Sequence, residues 1–93
     1  MNYYVYITTN RNHTTLYTGV TSDLQKRMAE HKLKVKAGFT KQYHVDQLVY
    51  YEVFENAISA ITREKQLKGG SRQKKLNLVL KMNRKWEDLT TKL

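Results

Sequence analysis

The first twenty residues confine the fold more than any later stretch. Tyr3 to Thr8 is aromatic and β-branched, a composition that fits a pleated, half-buried strand. Asn10-Arg11-Asn12 follows, and Asn tolerates the left-handed backbone that turns need. Leu16 to Val20 then reads as the returning strand of a hairpin. A turn centred between Arg11 and Asn12 predicts Tyr6 opposite Tyr17, with Val5 and Ile7 meeting Thr18 and Leu16 on the other face. A slip of one residue would break that arrangement.

The remaining elements are marked by their ends. Ser22 with Gln25 forms a capping box, which predicts a helix from Asp23 to about Lys34 with Leu24 and Met28 on its buried stripe. Gly38 to His44 reads as a loop or short helix anchored by Phe39 and Tyr43. Leu48 to Phe54 is a third strand. Asn56 caps a helix from about Ala57 to Lys68, with Ala57, Ile58 and Ile61 inward, and Gly69-Gly70 stops it. Ser71 opens a third helix whose Leu76, Val79 and Leu80 face the core, and Trp86 and Leu89 pack against the body. The expected fold is α+β, a small three-stranded antiparallel sheet flanked by helices. Ninety-three residues fit a single domain, 1–93, without room for a second core.

Composition narrows the function. No cysteine is present, which excludes disulfides and thiolate zinc sites, and His13, His31 and His44 are not at zinc-ligand spacing. No leader-like segment or bilayer-spanning run is visible, so a cytoplasmic location is expected. Seventeen Lys and Arg against eight Asp and Glu give a net charge of +9. Such an excess points to a polyanion, whose phosphates release counterions when neutralised. The competing readings are a merely basic, ribosome-sticky surface and attraction to an anionic membrane. The latter would want bulky apolar residues opposite the lysines of an amphipathic helix. Nucleic acid is the favoured partner. The charge is concentrated between Arg63 and Lys85, where Glu64 is the only acid among nine basic residues.

Arg27 and His31 are one helical turn apart, about 40° on the wheel, and flank the stripe of Leu24 and Met28. That position suits a cleft at the seam of helix and sheet; an ordinary basic helix with Arg27 near Glu30 or Asp23 is the plainer alternative. Glu64 lies about 60° from Ile61, on the side of Ala57, where small neighbours leave room for a ligand. Its plain alternative is a surface pair with Lys68. Tyr6 and Tyr17 could equally be sheet aromatics.

Together these residues resemble the GIY-YIG nuclease family, over essentially the whole chain. Tyr4-Val5-Tyr6 corresponds to the first motif and Tyr17-Thr18-Gly19 to the second. Arg27, His31 and Glu64 match the helical arginine, the histidine one turn on and the metal-binding glutamate. The tail, with Lys68-Gly69-Gly70-Ser71-Arg72, Asn83 and Trp86, is similar to the short stand-alone bacterial members. Tyr4 stands where the name motif has glycine, and Thr18 where it has isoleucine. Both are good strand formers, so the sheet should survive, while Tyr4 is expected to narrow the cleft.

The resemblance implies a metal-dependent endonuclease with one Mg²⁺, or Mn²⁺, held by Glu64. Arg27 would clamp the phosphate, Tyr17 would be the general base, and Tyr6 and His31 would orient water and phosphate. A free phenol has a pKa of ~10, so Tyr17 needs nearby cations for that role. Nucleic acid, DNA before RNA, would be held by Arg63, Lys65, Lys68, Arg72, Lys74 and Lys75. The alternative is a nucleic-acid-binding module that keeps the fold without turnover, or more distantly a basic scaffold in an RNA–protein assembly.

Overall fold

The computed structural model describes residues 1–37 and 45–93, with backbone alone for 34–37. The expected anchors Phe39 and Tyr43 lie outside the described residues. Strand β1 (Tyr3–Thr9) is central, between β2 (Leu16–Thr21) and β3 (Gln47–Phe54), and both pairings are antiparallel. Helix α1 (Leu24–Ala37) covers one face together with a 3₁₀ helix, Leu89–Lys92; α2 (Ala57–Gly69) and α3 (Arg72–Met82) cover the other. The α+β expectation is met.

The period of two along β1 divides two cores. Tyr6 points toward α1 and packs with Leu24, Met28, Leu48 and Leu89, with Tyr4 and Tyr51 beside them. Val5 and Ile7 point the other way, Val5 onto Ala60 and Leu67, Ile7 onto Val49, Tyr50 and Val79. Each such fully buried side chain contributes about 1.5–3 kcal/mol, so β1 carries much of the stability of both layers. A register shift between Ile7 and Thr8 opposite β3 lets Val49 join the second core.

The hairpin register differs from the expected one by two residues. Tyr6 pairs with Gly19, and Tyr17 pairs with Thr8. The cause is the turn, which is centred one residue later and held by Asn10. Its Oδ1 accepts from the Thr14 and Thr15 amides at 2.8 and 3.1 Å, its Nδ2 donates to the Thr14 hydroxyl at 2.7 Å, and His13 takes φ 56°. A two-residue slip preserves faces, so Tyr17 stays beside Tyr6, now diagonally.

Three further expectations are corrected. Asp23, not Ser22, caps α1, its Oδ1 accepting from the Lys26 amide at 3.1 Å, and the helix runs on to Ala37. On α2, Ile58 and Ile61 are exposed, and the buried positions are Ala60 and Leu67. On α3, Leu80 is exposed and Leu78 packs inward in its place. The Asn56 and Ser71 caps stand as expected, accepting from the amides of Ser59 and Lys74.

The segment after α3 is tied back firmly. Asn83, buried, donates to the carbonyls of Val49 and Glu87 at 3.2 and 2.7 Å and accepts from the Glu87 amide at 2.9 Å. Trp86 (φ 56°) packs on the second core and stacks on His13, ring centroids 4.5 Å apart and planes 15° from parallel. Asp88 accepts from Lys32 at 2.7 Å and from the Leu48 and Thr90 amides, linking α1, β3 and the 3₁₀ helix.

Candidate active site

Four of the five candidate residues converge on the Tyr6 hydroxyl. Arg27 and His31, one turn apart on α1, both reach it. Arg27 Nη1 donates to the phenolic oxygen at 3.3 Å, and His31 Nε2 is 3.4 Å from it. A guanidinium only donates, so the phenol's own proton is free to serve a neutral His31 Nε2. Tyr17 completes the group diagonally across the hairpin, its ring 6.3 Å from Tyr6 and 5.7 Å, edge-on, from His31. Tyr6 is fully buried, whereas Tyr17 is 42% exposed, so only the second is open to a water and a substrate.

Gly19 makes the convergence possible. It pairs directly with Tyr6, and the phenol ring lies across its Cα. A Cβ there would come 2.5 Å from Tyr6 Cζ and closer still to the hydroxyl. Any side chain at this position would displace the ring that Arg27 and His31 share.

Glu64 comes from α2, on the opposite face of the sheet. Lying one turn after the buried Ala60, its side chain is only 17% exposed. Its charge nevertheless reaches Tyr6. Burial pushes the Tyr6 hydroxyl above the usual phenol range, Arg27 opposes that, and the Glu64 carboxylate adds a small push upward. Tyr6 is therefore a neutral hydrogen-bonding hub. Lys68 Nζ stands 3.5 Å from Glu64, so the plain pair expected from sequence is also present. Arg27 has a second, looser partner in Glu30 at 3.8 Å.

Among the described residues no group of three or more His, Cys, Asp or Glu gathers as a metal cluster. A lone, largely shielded carboxylate beside an open surface still fits Mg²⁺, which keeps most of its waters and takes phosphate oxygens. Tyr4 packs at the edge of the core that holds Tyr6. It points to the start of α1, where with Asp23, Tyr51 and Lys92 it lines a cleft of about 510 Å³ that none of the five residues enters.

The expected nucleic-acid contacts are differently placed. Lys65, Lys68, Arg72 and Lys74 are exposed and Lys75 is half-buried. Arg72 Nη2 donates to the His13 carbonyl at 3.2 Å, at the hairpin turn that precedes Tyr17. Arg63 is engaged inside the protein. Its Nε donates to both Glu52 oxygens at 3.2 and 3.0 Å, and the same carboxylate accepts from Tyr50 at 2.5 Å. This Tyr50–Glu52–Arg63 group escaped the sequence reading, because nothing local links positions 52 and 63. Burial, then Glu52, push the Tyr50 hydroxyl up to about 12.

The model of the GIY-YIG catalytic domain matches residues 2–77, and the chain belongs to that family, with a nuclease-type function and nucleic acid as the class of substrate. A UPF0213 protein of Staphylococcus saprophyticus is 40% identical over 77 residues, 83% of this chain and 93% of its own length. A UPF0213 protein of Haloquadratum walsbyi is 37% identical over 77 residues, 83% of this chain and 85% of its own. The solution NMR structure of a UPF0213 protein from Bacillus halodurans superposes with a TM-score of 0.58 at 33% identity, covering 100% of this chain and 97% of that one. Among the described residues no helix is long and apolar enough to cross a membrane.

Proposed function

We propose that this chain is a single-domain, cytoplasmic, metal-dependent endonuclease that hydrolyses DNA phosphodiester bonds, in a repair or recombination setting that presents branched or otherwise irregular DNA. One observation carries the reading. The Tyr6 hydroxyl joins Arg27 and His31 beside an exposed Tyr17, and α2 presents a largely shielded carboxylate, Glu64, from the opposite layer.

Tyr17, the accessible tyrosine, acts as the phenolate, favoured by the Arg27 charge nearby, and takes the proton of the attacking water. Arg27 donates to the non-bridging phosphate oxygens, where negative charge grows as the new P–O bond forms, and Tyr6 holds it in place. His31, in contact with both tyrosines, orients the phosphate and relays the proton. Glu64 would hold one Mg²⁺ or Mn²⁺. Bound there, the ion supplies positive charge for the departing 3′ oxygen. The products carry 5′-phosphate and 3′-hydroxyl ends. Lys65, Lys68, Arg72, Lys74 and Lys75 supply phosphate contacts without sequence preference.

The Lys68–Glu64 contact favours a second reading, a DNA-binding module without turnover, since it gives Glu64 a cation of its own. Substitution separates the two. Incubated with plasmid, single-stranded and branched DNA, the wild type should cut in Mg²⁺. Glu64→Gln should bind DNA as well or better in chelator, having lost a negative charge near a polyanion, yet fail to cut. Cleavage by Glu64→Gln at the wild-type rate would remove the assignment and leave the binding module.

A further inference from the structure

Helix α2 has a narrow apolar grip on the sheet. Only Ala60 and Leu67 are buried, seven residues apart and so nearly in line, while Ile58 faces solvent and Ile61 lines an open groove beside Tyr3 and Val20. A helix resting on so thin a seam can roll about its axis. Arg63 and Glu64 fall on either side of that line, about 60° one way and about 40° the other from Ala60. Arg63 reaches β3, where its Nε bridges both oxygens of Glu52 and its Nη1 donates to Gln66 at 3.4 Å. The Tyr50 hydroxyl, on a side chain with 7% exposure, fixes the same carboxylate from the strand side. Glu52 and Arg63 are themselves partly shielded, at 24% and 31% exposure, so the pair is held in one geometry.

We propose that the Glu52–Arg63 pair sets the roll of α2 and thereby places the Glu64 carboxylate at the Tyr6 cluster. Glu52 and Arg63 are positioning residues; neither touches a substrate. The effect on placement stands by itself, while its effect on cleavage rests on the nuclease reading above. The lever is long enough to matter. Side-chain ends lie about 5–6 Å from a helix axis, so a roll of about 20° moves a carboxylate by about 2 Å. Misplacement by about 1 Å can cost on the order of a hundredfold in rate.

A double-mutant cycle with two readouts tests this. Wild type, Glu52→Gln, Glu64→Gln and the double variant are prepared with labelled tyrosine, without metal. Glu64→Gln should shift the Tyr6 ring resonances of the wild type, and by less than half as much in the Glu52→Gln background. In Mg²⁺, Glu52→Gln should lower kcat for DNA cleavage at least tenfold, leave KM for DNA unchanged and raise the Mg²⁺ concentration at half-maximal rate. Arg63→Lys keeps the charge but loses the guanidinium fork, so it should behave likewise, and it replaces Glu52→Gln if melting curves show that variant unfolded. Additive Tyr6 shifts, or a wild-type kcat with only a lowered Tm, overturn the proposal. If the wild type cuts no DNA the nuclease reading falls, and the Tyr6 cycle alone decides the role of the pair.

Discussion

Tyr6 and Gly19 form a directly opposed cross-strand pair in which the tyrosine ring occupies the space a side chain at 19 would need. Because Tyr6 is completely buried, the ring has nowhere to retreat. Gly19→Ala should therefore cost about 1–3 kcal/mol of stability. It should also break the contacts of Tyr6 with Arg27 and His31, lowering cleavage by more than tenfold. Chemical denaturation and a plasmid-nicking assay read the two effects; wild-type stability with the alanine in place would mean the ring is free to move.

Thr18, where the family motif has isoleucine, buries a hydroxyl that finds no hydrogen-bond partner among the described residues. Paired with Ile7, it faces the layer of α2 and α3, on the side of the sheet away from Tyr6 and Tyr17. Thr18→Val keeps the shape and removes the desolvated oxygen, so it should stabilise the protein by about 1 kcal/mol without altering cleavage. A lower midpoint in urea would contradict this.

Asp88 supplies the acid-sensitive tie. Burial pushes its carboxyl up, but hydrogen bonds from Lys32 and Thr90 outweigh that and hold it below the usual range. A depressed carboxyl contributes stability above its unfolded pKa, near 4, and loses it as pH falls through the lower folded value. Asp88→Asn should thus cost about 1 kcal/mol at pH 7, a modest figure because the pair is part-exposed. The gap to wild type should close below about pH 4. Melting curves at pH 7, 5 and 3 check it, and a pH-independent gap would argue against the ion pair.

The basic face of α2 and α3 makes a salt prediction. Lys74→Glu with Lys75→Glu should weaken binding to all DNA sequences alike and flatten the dependence of affinity on salt by about one to two counterions. Fluorescence anisotropy over a salt series is sufficient. Unchanged affinity at low salt would place the substrate elsewhere.

The sequence made the strands, two of the three helix caps and the gathering of Tyr6, Tyr17, Arg27 and His31 on one face readable, because period and cap chemistry are local. What it concealed is long-range. The hairpin register turned on how Asn10 spends its side chain, which composition does not tell. The inner face of α2 was misread because Ile58 and Ile61 look like core, whereas the close approach of the helix selects the small Ala60. The Glu52–Arg63 bridge had no signature at all, and it gives an internal partner to a residue that the sequence offered as a DNA contact.

The ties from beyond α3 have a consequence for how this protein acquires its shape. Residues 2–77 match the family model and hold all five candidate residues. Yet α1 is anchored to Asp88 across 56 positions, and Trp86, outside those limits, stacks on the hairpin turn, whose His13 carbonyl Arg72 grips across 59. Contacts so distant along the chain close late, since loop entropy must be overcome before they add anything. The hairpin can therefore form early while Arg27 and His31 settle against it only as the final segment docks. Removing Asp88 or Trp86 should therefore slow the docking of α1 on the hairpin more than formation of the hairpin itself, a difference that stopped-flow refolding would read.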